Sequence, residues 1–249
     1  MIRLVFAIIL SLFSLPCFSQ AILQNAKIQN AKIGQTQLSG GGGGPAKIFD
    51  ATKGGTAGGC ITASKDATGS SVFIAATGGY RSPYPAQSSS PANTWTAGNA
   101  VAPGGGVAVK SWYVLSPTTS SSQTFSADGG DVGTQYSTEA TIGFSGITAL
   151  DSQGTATNTT GTSIHGSGTP LTPSSSTDVM FTAIRWDTGT GTTWVINSGY
   201  TTLPAIICDG GMGMQVAYKI KTDSTTEDPV WTGTGGSPSV AAIHWCFKP

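Results

Sequence analysis

The chain has 249 residues, a formal net charge of zero and only 10% charged side chains, against about 25% in an ordinary soluble protein. No basic stripe is present to neutralise phosphates, which excludes nucleic acid and anionic lipid as electrostatic partners. Glycine, at 35 residues, is about twice its usual share, a composition suited to short strands joined by many turns, with Ser, Thr and Asn keeping the surface wet.

Residues 1–20 read as a cleavable signal peptide. Arg3 supplies the positive start, and Leu4–Leu15 is an apolar run that Pro16 ends. The run is shorter than the ~20 residues of a membrane span. Small residues for cleavage stand at Cys17-Phe18-Ser19 or Ser19-Gln20-Ala21. No later segment could span a membrane as a helix, so the expected location is secreted, extracellular or at a bacterial cell surface. Removing the leader leaves the mature chain near −1.

Residues 21–45 read as a short repeat stalk and a glycine hinge. Gln24-Asn25-Ala26-Lys27-Ile28 is followed by Gln29-Asn30-Ala31-Lys32-Ile33, and Leu23, Ile28, Ile33 and Leu38 recur every five residues. That period fits neither a helix nor a strand. Three such units bury too little alone, so residues 22–38 are expected to pack on a like chain or another surface, making the protein a homo-oligomer. The alternative is a flexible leader. Gly40–Gly44 and Pro45 then mark the boundary of a single domain over 46–249.

Within that domain, turn residues punctuate short apolar runs. Strands are expected at Cys60–Ser64, Ser71–Thr77, Val107–Ser116, Thr138–Phe144 and Asp178–Trp186. The last is expected to turn through Asp187–Gly191 into Thr192–Asn197 as a hairpin. Residues 86–106 read as loop. Met212–Lys221 alternates strictly, with Met212, Met214, Val216, Tyr218 and Ile220 on one face. Val240–Phe247 is apolar on both faces and is expected to be central and doubly covered. No helical stripe occurs outside the leader. The expected fold is all-β: two packed antiparallel sheets, jelly-roll or immunoglobulin-like.

The residues that could carry chemistry are few, and no catalytic set is expected. A glycosidase needs two facing carboxylates, and nothing in sequence pairs Glu139 with Glu227. No Gly-x-Ser-x-Gly elbow exists for a serine hydrolase. His165 lies in a Gly/Ser/Thr stretch and reads as solvated, whereas His244 reads as a packed core histidine. No cofactor is expected, with one exception: Asp223, Glu227 and Asp228 form an acidic loop that could offer oxygen ligands to calcium, against the simpler reading of turn-forming aspartates. Tyr80, Arg81, Tyr84, Trp95 and Asn99 fall in the Pro/Gly/Asn-rich stretch 79–99. Ring faces stack on sugars and Arg or Asn can bind hydroxyls, so this stretch is the candidate ligand surface for glycans. The competing reading is that the rings cap the open end of the sandwich. Export permits disulfides, and Cys208–Cys246 is the preferred pair among Cys60, Cys208 and Cys246, with three buried thiols as the alternative.

Two resemblances follow. The order Trp95-Thr96-Ala97-Gly98-Asn99, Trp112-Tyr113-Val114, Phe144-Ser145-Gly146, Leu150-Asp151 and Ala217-Tyr218-Lys219 resembles a diffuse group of mostly uncharacterised bacterial and phage β-sandwich proteins, which implies a fold over roughly 60–249 and no activity. Asn25-Ala26-Lys27-Ile28 and Asn30-Ala31-Lys32-Ile33 resemble the asn-ala-x-ile repeats of phage tail-tip and tail-fibre proteins, which implies chain association. The functional expectation is a non-catalytic structural or adhesive protein, with a carbohydrate-binding module as the alternative and a glycoside hydrolase as a second one.

Overall fold

The computed structural model describes residues 44–55, 60–80, 84–102, 106–128, 136–155, 157–166, 168–187, 193–197, 199–208, 211–234 and 238–249. The expected signal peptide and the repeat over 22–38 lie outside these residues, as does Arg81. The chain divides into two units, Met1–Gly42 and Gly43–Pro249, and the second holds everything that follows.

The described residues contain no α-helix and no helix long and apolar enough to cross a membrane. In chain order the strands are β1 (Ala46–Gly54), β2 (Val72–Gly79), β3 (Ala86–Ser90), β4 (Thr96–Val101), β5 (Ala108–Leu115), β6 (Thr124–Asp128), β7 (Thr138–Ser145), β8 (Ala149–Gln153) and β9 (Thr157–Thr160). Then come β10 (Ser163–His165), β11 (Val179–Trp186), β12 (Thr193–Ile196), β13 (Thr201–Thr202), β14 (Ile206–Ile207), β15 (Gly213–Ile220), β16 (Val230–Thr234) and β17 (Ser239–Lys248).

Two antiparallel sheets face each other, as expected of a sandwich. The first has the order β1-β7-β2-β5-β4, and the second runs β13-β15-β11-β17-β8, with β14 on β15 and β9 on β17. The main core lies between them. It takes Val72, Ile74 and Ala76 from β2, Ile142 and Phe144 from β7, Phe181 from β11, Val216 from β15, and Ile243, Trp245 and Phe247 from β17. These are alternate residues of each strand, as a two-residue side-chain period requires.

Two further layers exceed a two-sheet sandwich. The strands β10-β16-β12 cover the outer face of the second sheet, where Ile164, Trp194 and Trp231 meet Ile184, Trp186, Val240 and Ala242. The ribbon β3-β6 covers the outer face of the first sheet, where Phe125 meets Phe49 and Phe73. Both central sheets are therefore covered on both sides. That explains why β2, β11 and β17 carry almost no polar face and are buried along nearly their whole length.

Several expectations change. Cys60–Ser64 is not a continuous strand but runs antiparallel beside β6, joined by single bridges from Ile61 to Ser126 and from Lys65 to Gln123. The stretch 86–106 contains β3 and β4 rather than loop alone. The hairpin after Trp186 does not form: β11 is already paired on both edges by β15 and β17, so β12 leaves the sheet and pairs β16. There Trp194 lies 6.2 Å from the Trp186 ring, covering a face that would otherwise meet water.

Candidate functional site: a hydroxyl-lined pocket beside an ionic loop

Ionisable groups gather on the outer side of the second sheet, and a chain of local contacts sets their positions. After β15 the chain turns through 221–229 and returns as β16. The fully buried Lys221 side chain organises this turn. Its Nζ donates to Thr225 O at 3.1 Å and to Thr225 Oγ1 at 3.2 Å, and pairs with Asp223 at 2.9 Å and with Glu227. Lys219 reaches the same Glu227 oxygen at 2.7 Å. Burial pushes the Glu227 carboxyl up, but the hydrogen bonds and charges of Lys219 and Lys221 outweigh it and hold the group below its ordinary value. A backbone bridge from Leu171 to Glu227 clamps the turn to the neighbouring loop.

Pinning Glu227 fixes Asp228. Asn197 Nδ2 donates to Asp228 O at 3.2 Å, and Val230 N donates to Asn197 Oδ1 at 3.1 Å. The Asp228 carboxylate meets His165 Nδ1 at 2.8 and 3.0 Å. His165 is solvent-exposed, as expected, but it ends β10, opposite Val230 of β16, rather than lying in a loop. The pair borders a cavity of about 480 Å³ also lined by Thr157, Thr159, Ser163 and Pro170. Thr157 Oγ1 is itself shielded from solvent and has no hydrogen-bond partner. The pocket thus combines hydroxyls with one carboxylate and one imidazole.

The residues singled out in sequence fall elsewhere or in other roles. Asp223, Glu227 and Asp228 do not converge on one cation position. Each has a protein partner, respectively Lys221, the Lys219–Lys221 pair and His165, and they are not among the described groups whose ligand atoms gather together. The aromatic residues do not form one surface. Trp95 packs under the ribbon with its ring 6.3 Å from both Phe73 and Phe125. Tyr80 lies against Tyr136 at 6.3 Å. Asn99 Nδ2 donates to Gly154 O and ties the edge of the first sheet to the chain after β8. Tyr84 faces Lys110, whose Nζ sits 5.6 Å from its ring centre and 4.3 Å from that of Trp112, so a cation already covers those rings.

Glu139 and Glu227 belong to different layers. Glu139 is buried between the first sheet and the ribbon, where Gln87 Nε2 donates to it at 3.2 Å, while Glu227 lies beyond the second sheet. They cannot flank one glycosidic bond. The preferred disulfide also fails: Cys60, Cys208 and Cys246 are all buried free thiols. Cys208 sits beside the Arg185 guanidinium at 3.5 Å, on the core side of the second sheet, and Cys246 projects from its outer face toward Asp178. His244 is fully buried, as expected, with both ring nitrogens unpartnered, and burial pushes it down to about 3.

Sequence reasoning missed the pocket because its two ionisable partners lie 63 positions apart. The one local signal is the Ser163-Ile164-His165 alternation, in which Ile164 is buried and its neighbours are exposed. Among known proteins, the chain matches no family model, no curated protein and no solved structure.

Proposed function

We propose that the protein is an exported, non-catalytic adhesive protein: residues 22–38 associate chains, and the β domain presents the His165–Asp228 pocket to a neutral polyhydroxylated ligand, a surface glycan. The observation that carries this reading is the lining of the pocket. Three hydroxyl side chains, Thr157, Thr159 and Ser163, line the pocket together with the hydrogen-bonded His165–Asp228 pair, and Pro170 adds an apolar surface. Saccharides present hydroxyls that both donate and accept, together with apolar ring faces, so such a lining suits them better than it suits an anion or a cation. The Tyr84 and Trp112 faces are the weaker candidate, because Lys110 occupies them.

The test is binding of the mature protein to a glycan array, followed by calorimetry on the best ligand. His165→Ala and Ser163→Ala are expected to weaken binding about tenfold or more each, since each removes a hydrogen bond to the ligand. Tyr84→Ala is expected to leave it unchanged. A parent protein that binds no glycan, or binding lost in Tyr84→Ala and kept in His165→Ala, would overturn the reading.

A second reading rests on the same contact. Asp228 on Nδ1 of His165, with Ser163 in the same pocket, resembles the His–acid half of a hydrolytic triad. Covalent labelling of Ser163 by a fluorophosphonate probe would favour hydrolysis over adhesion.

A further inference from the structure

A second polar cluster lies on the outer face of the second sheet, formed by residues that do not line the pocket. Asp151, Asp178 and Cys246 bring one ligand atom each to within 4.8 Å of one another. They come from three neighbouring positions in the sheet: β8, the residue before β11, and β17.

The register explains how Asp151 joins them. β8 pairs with β17 through Ser152 opposite Cys246 and Leu150 opposite Phe247, so Asp151 is an extra residue at a β-bulge. A bulge sets two residues against one and re-aims a side chain that strict alternation would send to the other face. Asp151 is thereby turned toward Cys246 rather than into the main core.

The hydrogen bonds then leave a defined set of free atoms. Ser174 N donates to Asp151 Oδ2 at 2.9 Å, and Ser175 N donates to Asp178 Oδ2 at 3.2 Å. Two consecutive amides thus orient two carboxylates by one oxygen each, the outer-shell support that metal ligands commonly have. Cys246 Sγ lies 3.4 Å from Asp178 Oδ2. Asp178 is fully buried, and its Oδ1 has no hydrogen-bond partner. A buried carboxylate oxygen left unpaired is costly. Ser152 Oγ, directly across from Cys246, is also buried and unpartnered.

We propose that Asp151, Asp178 and Cys246 form a buried zinc site that pins β8, β17 and the start of β11 together. One thiolate and two carboxylates suit a borderline-soft divalent ion of tetrahedral habit, and three protein ligands leave a fourth position for Ser152 Oγ or solvent. Binding breaks the Sγ–H bond of Cys246 and forms an Sγ–metal bond, and the released proton goes to solvent, as does any proton held by the carboxyl pair. The charges balance: Zn²⁺ with the Lys248 ammonium, 3.7 Å from Asp151, offsets two carboxylates and one thiolate. The site shares no residue with the glycan pocket.

The test uses the mature protein stripped with a chelator. Zn²⁺ is titrated in competition with a chromophoric chelator, and Cd²⁺ is titrated while the thiolate-to-cadmium charge-transfer absorption is followed. One equivalent per chain is expected, with a charge-transfer band. Cys246→Ala is expected to abolish the band, and Asp178→Asn to weaken Zn²⁺ by more than about 100-fold. Cys60→Ala and Asp223→Asn are expected to change neither. Should Cys246→Ala fail to fold, Asp151→Asn, at the more open edge of the site, replaces it, with the expected loss read in Zn²⁺ affinity and in the metal-dependent rise of the melting temperature. No stoichiometric binding, or a band that survives Cys246→Ala, overturns the proposal.

Discussion

Glu139 and His244 are each buried in the form that carries no charge, and together they set how stability depends on pH. Burial pushes Glu139 up from 4.5 to about 8, against hydrogen bonds from Thr141 and Gln87 that favour its charged form. Between those values the folded chain keeps a proton that the unfolded chain has released, so stability falls as pH rises through that window. Burial pushes His244 from 6.5 down to about 3. Between those values the unfolded chain takes up a proton that the folded chain refuses, so stability falls as pH drops. The two effects oppose each other between about 4.5 and 6.5, giving a plateau there and a decline on either side. Glu139→Gln is expected to remove the alkaline decline and to stabilise the protein at pH 8 by up to ~5 kcal/mol, since each tenfold change in proton affinity is worth about 1.4 kcal/mol, with little change near pH 4. Urea unfolding across pH 4–9 checks it, and an unchanged alkaline slope in the variant would contradict the assignment. His244 was legible in the sequence because both faces of its strand are apolar. Glu139 was not, since its burial depends on Gln87 arriving from the ribbon, 52 positions away.

Elements with an unbroken side-chain period were readable, and those with a bulge or a small-residue face were not. β15 and β17 fall within a residue or two of the expected ranges, with the expected residues facing the main core. β1 carries a register shift between Lys47 and Phe49 that breaks its alternation, and β8 carries the one that exposes Asp151 to Cys246. β4 reads as loop because its sequence, Thr96-Ala97-Gly98-Asn99-Ala100-Val101, lacks bulk. The structure gives the reason: a side chain at Gly98 would collide with the Trp245 indole, so the smallness of β4 is what lets the edge strand lie on the core. Gly98→Ala is expected to destabilise the fold by about 1–3 kcal/mol, the usual cost of overpacking, although alanine is the better residue for an ordinary position. Denaturant unfolding with an unchanged m-value would report it. A neutral effect would mean that Trp245 can move freely, contrary to its complete burial among Tyr113 and Phe247.

At the scale of the whole chain, composition announced an all-β domain with many turns but not its layering. Two sheets were expected, and the described residues form two sheets plus a covering layer on each outer face. The extra layers follow from a surplus of large apolar residues. Trp186, Trp194 and Trp231 on one side, and Phe49, Phe73 and Phe125 on the other, cannot all enter one inter-sheet core. The pocket belongs to this layering, since β10 joins the outer layer while β9 stays on the second sheet. Both walls fall within residues 157–170, and Asp228 alone comes from a distant part of the chain. If residues 22–38 gather several such domains, weak pockets gain by acting together, and effective concentration can raise apparent affinity by about 10²–10⁴ without any new contact. The decisive measurement is therefore binding of the mature protein to a densely glycan-coated surface, compared with a chain lacking residues 22–44. The expected result is an apparent affinity about 100-fold tighter for the longer chain, with equal affinities for the same glycan free in solution. Equal affinities on the surface, or no binding by either chain, would contradict an adhesive role.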